Sequence, residues 1–159
     1  TADELSIIDW NDEGTAMLND AIWADGTRLG NADYADITTR FVAASLEGWM
    51  HCRDNSADCV EIVLNNGSSL GASHQAWQMN EINGLIWPSP DGAGVMDEGL
   101  WAQTVEVATS QGILASAPDS GAYTTEYAEA AVEMLKNRGV DTTGKNWRRV
   151  DVTLNPGGE

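Results

Sequence analysis

Helical periodicity is the feature that most constrains what this chain can fold into. Within residues 31–52, Val42, Leu46, Trp49 and Met50 recur at i, i+4, i+7 and i+8, the spacing of one helix face. Similar patterns predict four further helices, within residues 56–67, 71–87, 98–112 and 124–139. Each helix with an apolar face requires another layer of structure to cover that face.

Capping residues indicate where the predicted helices begin and end. Side chains that accept hydrogen bonds from free helix N–H groups precede three of them: Asn31 or Asp33, Ser56 and Asp97. Pro88 is expected to end the third helix and Gly139 the fifth, because proline lacks an N–H group and glycine tolerates the left-handed conformation. The loop "PSPDGAGVMDEG" separates the third helix from the fourth.

Each predicted helix has an expected buried stripe. The stripes of the last three helices are Met79, Ile82 and Ile86, then Trp101, Val105 and Ala108, then Tyr127, Ala131, Met134 and Leu135.

Extended structure is predicted only near the two ends. The run "LSIIDW" (residues 5–10) is typical of a short strand, and residues 15–30 suggest one or two more. Residues 146–154, "NWRRVDVTL", are predicted to form a strand or an extended tail. So few strands cannot form a self-sufficient sheet, although five helices need one to cover.

The charge balance excludes one class of partner. The chain carries 8 Lys and Arg against 25 Asp and Glu, a net charge of −17. A surface this acidic repels phosphate backbones, which are bound through Lys and Arg. We therefore predict no nucleic-acid partner.

The two cysteines, Cys52 and Cys59, are compatible with more than one state. A zinc site needs four ligands at close spacing, and the sequence offers no CxxC pair, so no metal is predicted. A reactive thiol needs a positive environment, but Asp54 and Asp58 flank the pair. A tight helix–turn–helix would bring the two Cα atoms within disulfide range. Two reduced thiols in a cytosolic protein remain the alternative.

Catalytic motifs are absent from the sequence. It contains no GxSxG, HExxH, phosphate-binding loop or GxGxxG. His51 and His74 have no evident partners and are expected at the surface. We predict no catalytic residue and no cofactor.

Seven tryptophans in 159 residues are many for a chain of this size. Four lie on predicted helices and are expected to pack in the core: Trp49, Trp77, Trp87 and Trp101. Trp10 and Trp23 lie in the extended N-terminal part, where an indole face could hold a flat ligand.

Four stretches, taken in order, resemble one protein family. They are "IDWNDEGTAMLNDAIWA", "RFVAASLEGWMHCRDNSADCVEIVL", "HQAWQMNEINGLIWPSPDGAGVMDEGLWAQTVEVATSQGIL" and "GAYTTEYAEAAVEML". Together they look like the C-terminal half of the extracytoplasmic substrate-binding proteins of ABC importers, in the nitrate, sulfonate and thiamine-pyrimidine branch. The likeness covers residues 4–138 and depends on order and spacing together.

The resemblance implies a fold and a function. The fold would be α/β, the C-terminal half of a type II periplasmic-binding-protein fold, helix-rich with a few short strands. Residues 1–30 would be an extended crossover segment with short strands, residues 31–139 the helical part of the first lobe, and residues 140–159 an extended C-terminal tail. The protein would capture a small polar organic solute, similar to a pyrimidine, a sulfonate or an amine, by closure of the lobes, and deliver it to a membrane permease.

The resemblance also implies a location and a pairing of the cysteines. Such proteins work in the periplasm or elsewhere outside the cytoplasm, where Cys52 and Cys59 would form a disulfide. The chain has about the length of one half, so it is expected to be incomplete alone. Its partners would be a missing N-terminal half or a second copy of itself.

The residues expected at the solute cleft follow the first predicted strand. They are Trp10, Asn11, Asp12 and Glu13, an aromatic face beside hydrogen-bonding side chains. Two alternative functions are kept. One is an enzyme similar to the cytoplasmic thiamine-pyrimidine synthases of the same family, and the other is a free-standing helical interaction domain.

Overall fold

Five α-helices form the regular structure of the part of the chain that is described. The computed structural model describes residues 6–67 and 69–159. The helices are α1 (Ala32–Asp54), α2 (Ser56–Asn66), α3 (Ala72–Ile86), α4 (Glu98–Ser110) and α5 (Glu126–Asn137), followed by a short 3-10 helix at Pro156–Gly158. None of these helices is long and apolar enough to span a bilayer.

The prediction of an α/β fold is wrong. Across residues 6–67 and 69–159 no residue lies in a β-strand. The described residues of the segments predicted as strands lie in turns or irregular backbone, and none of them forms a strand ladder. Residue 5, where "LSIIDW" begins, lies outside the described residues.

The helices belong to two compact units. The first unit comprises the described residues up to Trp23 together with Met96–Thr125, and it contains α4. The second unit comprises Ala24–Val95 and Glu126–Glu159, and it contains the other four α-helices.

The core of the second unit lies between α1 and α5. The cap of α1 is Asn31, whose side chain accepts from the Tyr34 N–H group. The buried face of α1 packs against α5 and against Trp87 and Ala93 from the segment after α3. The buried core side chains are Val42, Ala43, Leu46, Met50, Trp87, Ala93, Ala131, Val132 and Leu135. A bidentate ion pair between Arg138 and Glu47 joins the same two helices at the surface.

Asn55 connects α1 and α2 as the only residue between them. Its N–H group donates to the His51 carbonyl at the end of α1, and its own carbonyl accepts from the Asp58 and Cys59 N–H groups at the start of α2. Asn55, rather than the predicted Ser56, is therefore the N-cap residue of α2. The Ser56 hydroxyl instead donates back to the Cys52 carbonyl.

The predicted disulfide between Cys52 and Cys59 is confirmed, with the two Cα atoms 5.3 Å apart. It joins the last turn of α1 to the first turn of α2. One residue earlier in each helix, His51 Nε2 lies 2.7 Å from a carboxylate oxygen of Asp58, so the same corner carries two cross-links.

The C-terminal segment runs antiparallel to α3 along its length. The buried side chain of Asn80 donates to the Val150 carbonyl and accepts from the Val150 N–H group, both at 3.0 Å. The Asn155 N–H group donates to the Ser73 hydroxyl nearer the start of α3. Residues 147–155 have no regular secondary structure, and the hydrogen bonds that a neighbouring strand would make to Val150 come from a helix side chain.

A buried arginine holds the loop at residues 141–144 against the core. The Arg53 side chain is only 4% exposed, and its guanidinium forms a bidentate pair with Asp54 and donates to the Asp141 carbonyl. It also lies over the Trp87 ring, 4.6 Å from the centroid. Gly144, at φ +58°, packs so closely on Trp87 and Arg53 that a side chain there would collide with both.

Several predictions of burial are wrong. Of the four tryptophans expected in the core, only Trp87 is buried, whereas Trp49 and Trp77 are exposed and Trp101 is half-buried. Met134 of α5 is exposed and Val132 takes its place in the core. The most buried side chains of α3 are the polar Asn80 and Asn83. The C-terminal segment pairs with both ends of the Asn80 amide, and the Asn83 side-chain oxygen accepts from the Trp87 indole N–H group, whereas the Asn83 side-chain nitrogen is buried without a partner among the described residues.

Candidate solute-binding site

The four residues predicted to contact solute form a single exposed turn in the first unit. The Asp9 carboxylate accepts from the Asn11 N–H group, and the Trp10 carbonyl accepts from the N–H groups of Thr15 and Ala16. These bonds close the turn through the main chain. The side chains of Trp10, Asn11, Asp12 and Glu13 are all exposed, with Trp10 at 66%.

The N-terminal segment is held to α4 by two hydrogen bonds. The Leu18 N–H group donates to the Thr104 hydroxyl at 2.9 Å, and the Gln103 side-chain amide donates to the Ala16 carbonyl at 2.7 Å. The predicted turn and α4 are therefore parts of one compact unit.

A groove of about 460 Å³ runs along α4. Its floor is apolar, and it ends at a proline of the loop that follows α4. The lining residues are Trp101, Ala102, Val105, Glu106, Thr109 and Pro118. Asp97 fixes the start of α4, because its carboxylate accepts from the Leu100 N–H group.

The Trp101 ring, which lines this groove, packs against a second aromatic ring from the loop that follows α4. The Trp101 ring lies 4.8 Å from the Tyr123 ring, centroid to centroid, at an angle of 50°. The loop after α4 returns to make this contact, since the N–H groups of Ile113 and Leu114 both donate to the Ala108 carbonyl. The sequence pattern assigned Trp101 to a buried stripe and so missed it as a site residue.

The Glu106 carboxylate is exposed at the groove and has no ion-pair partner among the described residues. The Trp101 indole N–H and the Tyr123 hydroxyl likewise make no hydrogen bond within the described part of the chain. The Glu106 carboxylate and the Trp101 indole N–H thus remain available beside an apolar floor, which is the usual composition of a small-molecule site.

A second groove, of about 480 Å³, lies in the second unit between α2, α3 and the C-terminal segment. Its walls are mainly apolar, including Val60, Val150 and Val152. Most of its polar members are already engaged, since Asn80 pairs with Val150 and Arg53 with Asp54. The Trp147 indole N–H, which also lines the groove, makes no hydrogen bond within the described part of the chain. This groove offers a ligand fewer free polar groups than the groove on α4.

Within residues 6–67 and 69–159, no three His, Cys, Asp or Glu side chains are grouped so as to hold a metal ion. His51 is occupied by Asp58 and Asn55, and His74 lies against the Trp77 ring at 5.6 Å.

Comparisons with protein-family models, with curated proteins and with solved structures found no match to this chain.

Proposed function

We propose that this protein is the solute-binding component of an ABC importer, working in the periplasm or elsewhere outside the cytoplasm. It captures a small polar organic solute on its first unit and delivers it to a membrane permease. No covalent chemistry takes place.

The groove on α4 is the observation that carries this proposal. Its volume of about 460 Å³ lies within the range of about 300–1,000 Å³ that is usual for small-molecule sites. The aromatic side, the apolar floor and the unpaired carboxylate would bury the solute's ring or alkyl part and orient its polar part.

Two further observations support the proposal. The four quoted stretches resemble importer binding proteins in order and spacing. The disulfide between Cys52 and Cys59 is typical of proteins that leave the reducing cytoplasm, and it weighs against the cytoplasmic enzyme alternative.

Binding can be tested by NMR on the indole N–H resonances of the seven tryptophans, using the 159-residue chain. Pyrimidines, primary amines and sulfonates are titrated one class at a time. We expect at least one class to shift the Trp101 resonance, which is assigned by its absence from a Trp101→Phe spectrum. If no class shifts it at millimolar concentration, the proposed function is wrong.

The predicted turn is tested in the same assay with a matched pair of variants. Trp10→Ala should weaken binding of the solute found, because it removes an exposed aromatic face beside Asn11 and Asp12. Trp49→Ala is the control, since Trp49 is also exposed, at 43%, and lies on α1 in the second unit. Equal affinities in the two variants would remove the turn from the site while leaving the groove.

A further inference from the structure

Positive charge is entirely absent from the part of the sequence that forms the first unit. Residues 1–23 contain six Asp and Glu, residues 96–125 contain four, and neither range contains a Lys, Arg or His. All eight Lys and Arg therefore belong to the second unit, which has its ion pairs at Arg40, Arg53, Arg138 and Arg149. A field of one sign raises the local concentration of small cations and lowers that of anions.

Within this acidic unit, the groove on α4 has the two elements that recognise an organic cation. Trp101 lines the groove, and the face of an indole ring carries the negative part of the aromatic quadrupole, which attracts a cation placed over it. Glu106 lines the same groove and supplies a full negative charge that no described side chain neutralises.

The remaining lining favours a cation with apolar substituents over a bare ion. Ala102, Val105 and Pro118 provide carbon surface but no ligand oxygens. The Thr109 hydroxyl donates to the carbonyls of Val105 and Glu106 and so is already used as a donor. A small hydrated metal ion would gain at most the Glu106 carboxylate and the Thr109 hydroxyl oxygen for the several waters it loses, whereas alkyl groups would be buried favourably.

We infer that the solute taken by the groove on α4 is an organic ammonium, held between the Trp101 ring and the Glu106 carboxylate. This inference rests on the proposed function and narrows it to one chemical class. It excludes sulfonates, because an anion would meet Glu106 and no compensating cation.

Three probes of similar shape separate charge from size. Choline is the cation, 3,3-dimethyl-1-butanol is its neutral isostere, and isethionate carries the same hydroxyethyl group on a sulfonate. Each is titrated into the 159-residue chain while the Trp101 indole resonance is followed. We expect choline to bind about threefold or more tighter than the neutral alcohol, and isethionate to bind most weakly.

A matched pair of charge variants tests the role of Glu106. Glu106→Gln keeps the shape of the side chain and should weaken choline binding about two- to fivefold while leaving the neutral alcohol unchanged. Glu61→Gln is the control, because Glu61 is an exposed residue of α2 in the second unit and its loss changes the net charge equally. It should leave both affinities as they are.

The outcomes distinguish the inference from the function on which it rests. Tighter binding of isethionate than of choline would overturn the inference and leave the proposed function standing. If Glu106→Gln and Glu61→Gln weaken choline binding equally, the assignment of the site to this groove is overturned, because the net charge of the protein would then explain the binding. If none of the probes, and none of the wider solute classes, moves the Trp101 resonance, both are overturned.

Discussion

Asn80 shows what one side chain can do for an extended segment that has no partner strand. Its amide offers a donor and an acceptor in the geometry of a main-chain peptide, and Val150 uses both. A neighbouring strand could also pair with the N–H and C=O groups of Val150, but a further segment would then have to be ordered, which costs conformational entropy. The pattern "NWRRVDVTL" predicts extended backbone, but it does not indicate which residues form hydrogen bonds with that backbone.

Replacing Asn80 with Ala should lower the free energy of unfolding by about 1–2 kcal/mol, because two hydrogen bonds to Val150 are lost and the buried position keeps no polar group. Amide hydrogen exchange near residue 150 should become faster. Asn66→Ala, which removes one exposed bond to the Ile62 carbonyl, should cost less than about 0.5 kcal/mol. Unchanged exchange near residue 150 would show that Asn80 does not hold the segment.

Asp141 is the residue from which a pH dependence follows. The Thr143 N–H group, together with the Thr143 hydroxyl, the Gly144 N–H group and the Arg53 guanidinium, holds the pKa of this carboxyl below its usual 3.8. The unfolded pKa is the higher one, so the ionised carboxylate stabilises the fold above it. That contribution is lost as the pH falls through the folded pKa.

We therefore expect Asp141→Asn to be less stable than the parent chain near neutral pH, with the difference shrinking below about pH 4. Urea unfolding at several pH values measures this difference. Asp119→Asn is a useful control, because Asp119 accepts a similar main-chain bond from Gly121 in the other unit. If the difference in stability between the two proteins stays constant with pH, the effect of Asp141→Asn comes from the shape of the side chain rather than from its charge.

For the helices, the sequence predicted where each helix begins or ends better than it predicted which face of the helix is buried. Asn31 and Asp97 cap α1 and α4 as predicted, because a cap depends on residues within one turn. The burial of Trp49, Trp77 and Met134 was predicted wrongly, since it depends on which distant segment covers each face. The covering segment of α3 is the C-terminal one, which the periodicity of α3 cannot reveal.

Asp97, the N-cap residue, fixes the start of α4, which is the helix that lines the candidate groove. Its capping role can be tested separately from solute binding. Asp97→Ala should destabilise the start of the helix by about 1 kcal/mol, because the Leu100 N–H group loses its acceptor. Asp97→Asn keeps an acceptor and should lose much less. Helix content by circular dichroism and the thermal midpoint measure both variants, and identical losses would contradict a capping role.

The disulfide at the corner of α1 and α2 should stabilise the chain by about 2–3 kcal/mol, because it closes a short loop in the unfolded state. Reduction is expected to lower the thermal midpoint by about 5–10 °C. The double variant Cys52→Ala, Cys59→Ala should melt at the lower temperature with or without reductant. Uptake of two alkyl groups by the denatured, unreduced chain would contradict the bond itself.

In the whole molecule, the net charge opposes self-association, whereas the exposed apolar side chains favour it. Large apolar side chains are exposed along the N-terminal segment, among them Ile7, Ile8, Trp10 and Trp23. The net charge of −17 keeps copies of the chain apart. The proportion of acidic to basic residues could be read directly from the sequence, but the exposure of these side chains required the structure.

We expect the chain to self-associate as salt is added, because screening weakens the repulsion while the apolar attraction remains. Sedimentation velocity at sodium chloride concentrations from low salt up to about 0.5 M measures this association. At the highest concentration the screening length falls to a few ångströms. Ile7→Ser with Ile8→Ser should reduce the association, and Leu85→Ser, an exposed change on α3, serves as the control. A single monomeric species at every salt concentration would contradict the expectation.

The pairing of Asn80 with Val150 also sets an order of events during protein synthesis. A ribosome makes α3 well before residue 150, so the two groups that satisfy the Asn80 side chain do not yet exist when that helix emerges. Until then the amide of Asn80 has only water and the neighbouring Glu81 carboxylate as partners. The second unit therefore acquires its final packing only after the segment around residue 150 has been made, and a chaperone that binds nascent chains would meet α3 with this face uncovered.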